Sequence, residues 1–262
     1  LPAAAAVELM HNFSLIHDDI QDQSRLRRGK DTLWVKWGIA QAINAGDAML
    51  VLSMLEGAKN IHNCNGGTML LINHILSSAC LQLTHGQYLD LAYEMADQVQ
   101  PDEYIQMVSG KTGALLAACF ALGGVIAGQT EAKIGRLSRL GADIGIAFQI
   151  QDDWMGIWGS EEETGKPATS DLLERKKTYP VIRALGSLPG FATYWAGNLK
   201  FSLENVAKLK DMLTSAGLRE EIGNEINAHY LNADKALMDC FPNPEGHEFM
   251  HQVLSSLWNR AR

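Results

Sequence analysis

The sequence lacks the marks of a disulfide-bonded or zinc-bound domain. Its four cysteines, Cys64, Cys80, Cys119 and Cys240, form no C-x-x-C pair and no zinc-like spacing. Buried thiols in a reducing compartment are therefore expected, with neither disulfide nor zinc. Proline is scarce and scattered, seven residues in 262, so nothing reads as an interdomain linker and one domain spanning residues 1–262 is expected. No uninterrupted apolar run reaches about 18 residues, the stretch 114–127 being short and glycine-punctuated, which argues against a transmembrane helix. Positive charge is also wanting: a formal net charge of −8 excludes a general nucleic-acid or anionic-membrane surface. The chain opens on Leu1-Pro2 without a methionine or a basic stretch. No signal peptide is read there, and a further N-terminal segment is expected ahead of it. Alternating strand patterns, internal repeats and low-complexity tracts beyond the opening alanine run are missing as well. A soluble protein of the cytoplasm is the expectation.

What is present is helical. Hydrophobic residues make up 47% and charged residues only 20%, enough to bury a sizeable core, and the apolar spacing is that of long helices punctuated by Gly and Pro. The pattern predicts helices over 3–23, 33–58 and 68–96, and one from Pro101 that meets Lys111-Thr112 before an apolar stretch ending at 127. Another is predicted from Thr130 to Asp153, then helices over 181–188, 202–216, 218–238 and 244–258. Residues 23–31 and 154–177 read as polar loops, and 60–67 as a turn-rich break. Asn44, Asp47 and the small residues between them read as close helix packing without chemistry.

Two acidic helix ends stand out. His17-Asp18-Asp19-Ile20-Gln21-Asp22 closes the first apolar helix, with Arg27-Arg28-Gly29 behind it. Asp18 and Asp22, four apart, share a helix face. Carboxylates one turn apart suit Mg²⁺, which keeps waters and takes further ligands from substrate phosphate. A lone pattern of this kind is as readily a solvated helix end. The second element, Phe148-Gln149-Ile150-Gln151-Asp152-Asp153, repeats the arrangement and is followed by Gly165-Lys166-Pro167, Asp171 and Lys176-Lys177. With both helices side by side and their acidic ends level, the carboxylates would clamp a departing diphosphate through bound metal. Between them, Gln87 and Asp90 lie three apart on one helix, and Lys111 in an apolar helix is costly unless it meets an anion.

These residues, in this order over nearly the whole chain, resemble the trans-isoprenyl diphosphate synthases, the polyprenyl synthetase family. The resemblance implies an all-α, single-domain bundle of long antiparallel helices around a central cavity, usually a homodimer. It implies condensation of isopentenyl diphosphate with an allylic diphosphate: ionisation, attack by the isopentenyl double bond on the allylic cation, and proton loss to the departing diphosphate. By the same resemblance Asp18, Asp22 and Asp152 are direct Mg²⁺ ligands, in a site of about three ions. Gln87, Asp90 and Asp153 form the surrounding network. Arg27, Lys111, Lys166 and Lys176 hold the allylic diphosphate, Arg28 that of isopentenyl diphosphate, and Thr112 and Gln149 aid near the cation.

Two departures qualify the resemblance. The second acidic element reads DDxxG, with Gly156 where the family has a third aspartate, and the family's N-terminal Gly-Lys-x-x-Arg element has no counterpart before Leu1. A class I terpene cyclase would share the first acidic element, but its Asn-Ser/Thr-Glu triad is not found. A non-catalytic partner subunit of a synthase is the third reading. Phe13 lies five residues before Asp18, roughly 7.5 Å along the helix, where its ring forms a floor for the growing chain. With Ser14 beside it, this resembles geranylgeranyl diphosphate synthases and predicts a C20 product, C15 and C25 being the near alternatives; the same phase also fits a plain core residue.

Overall fold

The computed structural model describes residues 1–59, 65–160, 169–197 and 201–259. Apart from one two-stranded hairpin, every regular element among them is helical, as expected. The chain divides into two compact units, residues 1–82 with 115–141, and residues 83–114 with 142–262.

In the first unit, α1 (Pro2–Gln21) starts with proline in its first turn, where the missing N–H has no helical partner to lose. Ala6, Met10 and Phe13 recur at helical spacing and enter a buried cluster with Met69, Ile72, Leu76, Leu122 and Val125. Each large side chain so buried contributes about 1.5–3 kcal/mol. The single helix expected over 33–58 is two, α2 (Leu33–Trp37) and α3 (Ile39–Ala58). Gly38 between them has φ 82 and ψ 162, a conformation that only glycine adopts readily. Helix α3 lies close against α1: the Ser53 hydroxyl donates to the Ala6 carbonyl at 2.7 Å, and the His17 ring occupies the space a Cβ at Gly46 would take. The packing reading of residues 44–47 agrees with this.

The expected loop over 23–31 contains a hairpin. Strands β1 (Leu26–Arg27) and β2 (Lys30–Asp31) pair antiparallel, Arg27 opposite Lys30, around Arg28 and Gly29, with φ 52 and 73. Two left-handed central residues form the turn that matches strand twist. Arginine at such a position is uncommon, which is why the sequence reads as a loop.

Helix α4 (Gly66–Met95) contributes its first part to unit one and residues 83–95 to unit two. Helix α5 (Pro101–Val108) is started by proline and a reciprocal Gln100/Glu103 cap, then passes through a π turn, Ser109–Gly113, into α6 (Ala114–Ile126). Pro101–Ile126 is long and apolar enough to cross a membrane. With Tyr104, Met107, Val108, Ala118, Ala121 and Leu122 buried and Lys111 near its middle, it is patterned as a core helix.

Helix α7 (Glu131–Trp158) overruns the expected loop start, because Met155, Ile157 and Trp158 are all buried. Residues 161–168, among them Glu161, Glu162, Glu163, Gly165, Lys166 and Pro167, lie outside the described residues. The remaining helices are α8 (Ser170–Leu173), α9 (Tyr179–Ser187), α10 (Pro189–Gly197), α11 (Leu203–Ser215), α12 (Leu218–Cys240) and α13 (Pro244–Trp258). Helix α10 had no counterpart in the expectation; it buries Phe191 and Trp195.

Candidate active site

The first acidic element is the C-terminal turn of α1. The Asp22 N–H donates to the Asp18 carbonyl at 2.8 Å, so helical geometry holds through Asp22 and the shared face of Asp18 and Asp22 is kept. Asp22 is exposed, Asp18 half-buried and Asp19 buried. The hairpin returns Arg27 to these acids: its Nε donates to Asp19 Oδ1 at 2.8 Å, and its Nη2 lies 3.4 Å from Asp18 Oδ2. Burial disfavours the Arg27 charge, but the Asp19 hydrogen bond and the charges of Asp19, Asp18 and Asp22 outweigh it and raise its pKa. Arg28 instead sits at the hairpin tip, exposed to solvent. Adjacent arginines therefore have different settings, one tied to the acids and one turned outward. The hairpin is itself pinned, since Thr32 Oγ1 and Trp34 Nε1 both donate to the Ser24 carbonyl, at 2.9 and 2.8 Å. Phe13, one turn and a residue earlier, is buried in the cluster of unit one with its ring edge against His17, centroids 5.3 Å apart.

The second element belongs to unit two. Asp152 is half-buried, whereas Asp153 is buried and accepts three hydrogen bonds: from Tyr104 Oη at 2.6 Å, the Tyr179 N–H at 2.8 Å and Gln149 Nε2 at 3.1 Å. Burial pushes the Asp153 carboxyl up to about 7, against the pull of those donors. Burial likewise drives the Tyr104 hydroxyl well above its usual range, helped by the Asp153 charge. Thr112 Oγ1 donates to Gln149 Oε1 at 3.0 Å, so Thr112, Gln149 and Asp153 form one chain. The adjoining Gln151 is fixed by Tyr230 Oη at 2.6 Å and by the Trp258 carbonyl at 2.9 Å, which holds α7 at the level of Asp152.

Lys111 projects from the π turn, a helix irregularity frequent at functional sites. Its Nζ lies 2.5 Å from Asp90 Oδ2. One turn before Asp90, Gly86 brings the α4 backbone against the π turn, where a Cβ would overlap Lys111 N and stand 2.6 Å from Gly110 C. Gln87, half-buried, follows directly. Farther on, Lys176 is half-buried, 3.4 Å from Glu174. Lys177 has another job: its ammonium caps the end of α4 through the carbonyls of Tyr93, Glu94 and Ala96.

Unit one thus gathers Asp18, Asp22 and Arg27, and unit two gathers Gln149, Thr112 and Asp153 in one network and Lys111 with Asp90 in another. Lys166 is outside the described residues. Sequence reasoning missed Asp19 as the Arg27 anchor and Tyr104 and Tyr179 as the anchors of Asp153. Consecutive helix residues diverge by about 100°, so of two adjacent aspartates one must turn inward, a signal that was available; nothing in the sequence marks Tyr104. Among the described residues no group of three or more side chains could hold a metal ion. Carboxylates one turn apart without a cage are nonetheless the donor chemistry of Mg²⁺ that keeps waters and binds through substrate phosphate, so Asp18 and Asp22 in unit one fit it, and in unit two the half-buried Asp152 offers a carboxylate of the same chemistry.

Residues 1–215 match the family model described as polyprenyl synthetase. The chain is 42% identical over 194 residues to the geranylgeranyl diphosphate synthase of Mycobacterium tuberculosis, covering 73% of this chain and 54% of that protein. It is 38% identical over 236 residues to a (2E,6E)-farnesyl diphosphate synthase of Mycobacterium bovis, covering 87% and 65%. The chain thus spans between about half and two thirds of the length of these relatives. Among solved structures, the geranylgeranyl pyrophosphate synthetase of Pyrococcus horikoshii superimposes with a TM-score of 0.91 at 30% identity, covering 98% of this chain and 78% of that one.

Proposed function

The chain belongs to the polyprenyl synthetase family, and from that membership we propose that it acts as a Mg²⁺-dependent trans-prenyltransferase, residues 1–262 serving as its isoprenyl diphosphate synthase domain. In this reading it condenses isopentenyl diphosphate head-to-tail with an allylic diphosphate to give geranylgeranyl diphosphate. The observation that carries it is the recurrence, in each unit, of paired aspartates on a long helix, at the end of α1 and within α7, with cations close by in the chain. Asp18, Asp22 and Asp152 hold Mg²⁺, and Asp90 and Asp153 hold the groups around it. Bound Mg²⁺ supplies Lewis acidity toward the charge that grows on the departing diphosphate.

Arg27, Lys111, Lys166 and Lys176 hold the allylic diphosphate. Lys111 is presented by the π turn and poised by Asp90, so that an arriving diphosphate shares a cation already oriented. Arg28, exposed on its hairpin, takes the diphosphate of isopentenyl diphosphate, which does not leave. Fixed cations of this kind stabilise leaving-group charge without reorganising. Thr112 and Gln149, locked to Asp153, present side-chain oxygens toward developing positive charge. The proton leaves to the released diphosphate, which is why no His or Glu is assigned as base.

The C20 product rests on Phe13 as the floor of the chain-binding space, and its burial among Met10, Ile72 and Leu76 supports a rigid floor. A homodimer is supported by α3, where Ile39 and Ile43, and again Val51 and Leu55 one turn beyond Asp47, form two exposed apolar pairs on one face. The enzyme acts in the cytoplasm. Incubation with isopentenyl diphosphate, allylic starters of five to fifteen carbons and Mg²⁺, with the product's chain length read by mass spectrometry, tests the reading. A C20 diphosphate is expected; a cyclised hydrocarbon, or no turnover by a folded protein, would overturn it.

A further inference from the structure

Arg175, Lys176 and Lys177 are three consecutive cations, and the fold gives the outer two entirely different partners. Arg175 is left-handed, φ 59, a conformation uncommon for any residue but glycine. Its side chain shows how the position is held: the guanidinium carbon lies 4.8 Å from the Trp195 ring centre and 4.6 Å from that of Phe201, and Nη1 donates to the Trp195 carbonyl at 3.1 Å. Both rings are buried, Trp195 near the end of α10 and Phe201 just before α11. Desolvated aromatic faces attract a cation, and arginine's planar fork can stack on a ring and donate in the same pose. On the other side of Lys176, the Lys177 ammonium donates to the carbonyls of Tyr93 at 2.8 Å, Glu94 at 3.0 Å and Ala96, where α4 ends. Burial lowers the pKa of Arg175 and of Lys177, so both are cations drawn out of water and held by contacts that replace it. Between them the Lys176 N–H donates to the Asp171 carbonyl at 2.9 Å, while its side chain is half-buried. The chain is thus fastened at three residues running, and the middle one carries the lysine assigned to substrate.

Resting on the prenyltransferase reading above, in which Lys176 holds the allylic diphosphate, we propose that Arg175 and Lys177 are positioning residues for that lysine. The Trp195–Phe201 clamp and the carbonyls at the end of α4 fix the backbone on either side of it. A lysine stem is flexible, so what its ammonium can reach depends on where its Cα is held. Glycine would adopt the left-handed turn at 175 unaided; arginine adopts it and anchors it as well.

The test is a double-mutant cycle in steady-state condensation, with KM for the allylic diphosphate and for isopentenyl diphosphate measured separately and the melting temperature recorded for each variant. Arg175→Gly keeps the left-handed backbone accessible and removes the clamp, Lys177→Met keeps a long apolar stem and removes the ammonium, and each is combined with Lys176→Ala. Both single changes should raise the allylic KM about 10-fold and leave the isopentenyl KM within about threefold. Once Lys176 is already alanine, either should add less than about twofold. Phe201→Leu, which opens the clamp without touching residue 175, should raise the allylic KM about threefold or more, and it carries the test if Arg175→Gly does not fold. Full additivity with Lys176→Ala, or equal rises in both KM values, overturns the positioning role and leaves the prenyltransferase reading standing. A lowered melting temperature with an unchanged allylic KM overturns it too, being the mark of a purely structural contact. An unchanged allylic KM in Lys176→Ala overturns the underlying assignment of Lys176, and the role of its anchors with it.

Discussion

On the proposed assignment Asp152 and Asp153 are neighbours with separate jobs, and replacing each in turn should separate turnover from stability. Asp153→Ala strands two buried donors, the Tyr104 hydroxyl and the Tyr179 N–H, while half-buried Gln149 can turn to water. Each stranded donor costs about 1–3 kcal/mol, or about 2–6 kcal/mol together. Against this, burial, with the Asp171 charge adding, pushes the Asp153 carboxyl up to about 7, so deleting it also removes a poorly solvated charge. The net loss then falls near the lower half of that range, about 2–4 kcal/mol. For a chain of this size such a loss lowers the melting temperature by roughly 5–15 °C. Asp152→Asn leaves shape and packing nearly intact and should change stability by less than about 0.5 kcal/mol. Its condensation rate should nevertheless fall about 10²-fold or more, the scale for losing one stabilising contact to transition-state charge. Calorimetric melting and incorporation of labelled isopentenyl diphosphate measure the two quantities on the same preparations. If Asp153→Ala melted within about 2 °C of wild type, the hydrogen-bond hub would carry no stability and the reasoning would be wrong.

Gly86→Ala should displace the π turn and with it Lys111, raising KM for the allylic substrate at least about 10-fold in a folded protein; an unchanged KM would show that the close approach of α4 does not position the lysine. Arg28→Ala should act mainly on KM for isopentenyl diphosphate and Lys176→Ala on the allylic substrate, and equal effects of both on both substrates would refute the division. Phe13→Ala should lengthen the product by at least one five-carbon unit, and an unaltered product distribution in an active variant would reduce the ring to core packing. The His251 pKa is raised by its hydrogen bond to Asp234 on α12 and by that carboxylate's charge, with Glu248 adding and His247 stacked alongside. A raised imidazole pKa stabilises the fold fully below the unfolded value of about 6.5, and the contribution fades as pH rises through the folded value. The melting-temperature gap between wild type and Asp234→Asn should accordingly be wider at pH 6 than at pH 9, and a gap independent of pH would assign the pair no electrostatic role.

Helix α13 was legible to the residue, since Asn243-Pro244 marks its start and the apolar spacing runs unbroken to Trp258. The end of α7 was not, because paired aspartates read as a terminus while the burial of Met155, Ile157 and Trp158 carries the helix onward. The break at Gly38 was present as a glycine but competed with an apolar period that continues across it. The hairpin was hidden more deeply: it depends on a left-handed Arg28, which no propensity favours and which Arg27, bonded to Asp19, helps to hold. Acidic and basic residues at the candidate site were legible by type and order. Which member of each adjacent pair faces inward was decided by partners distant in sequence, Tyr104 and Tyr179 for Asp153, and Arg27 for Asp19.

Three of the assigned cations, Arg28, Lys111 and Lys176, are presented by departures from regular helix, and geometry gives a reason. A straight helix places side chains at fixed intervals of about 1.5 Å and 100°, so cations on one helix reach a diphosphate from a single side. Oxygens on several sides of the anion need donors from other directions. Arg28 gains such a direction from a left-handed turn and Lys111 from a π turn, while Lys176 follows directly on left-handed Arg175. Sparsely populated backbone conformations cost on the order of 1–3 kcal/mol each. Burial of Met10, Ile72 and Leu76, each 0% exposed, contributes on a comparable scale per side chain in unit one, as do Ile150, Leu172 and Tyr230 in unit two. Strain at these points is thus tolerated because regular helices elsewhere in each unit bury enough apolar surface to hold them in place.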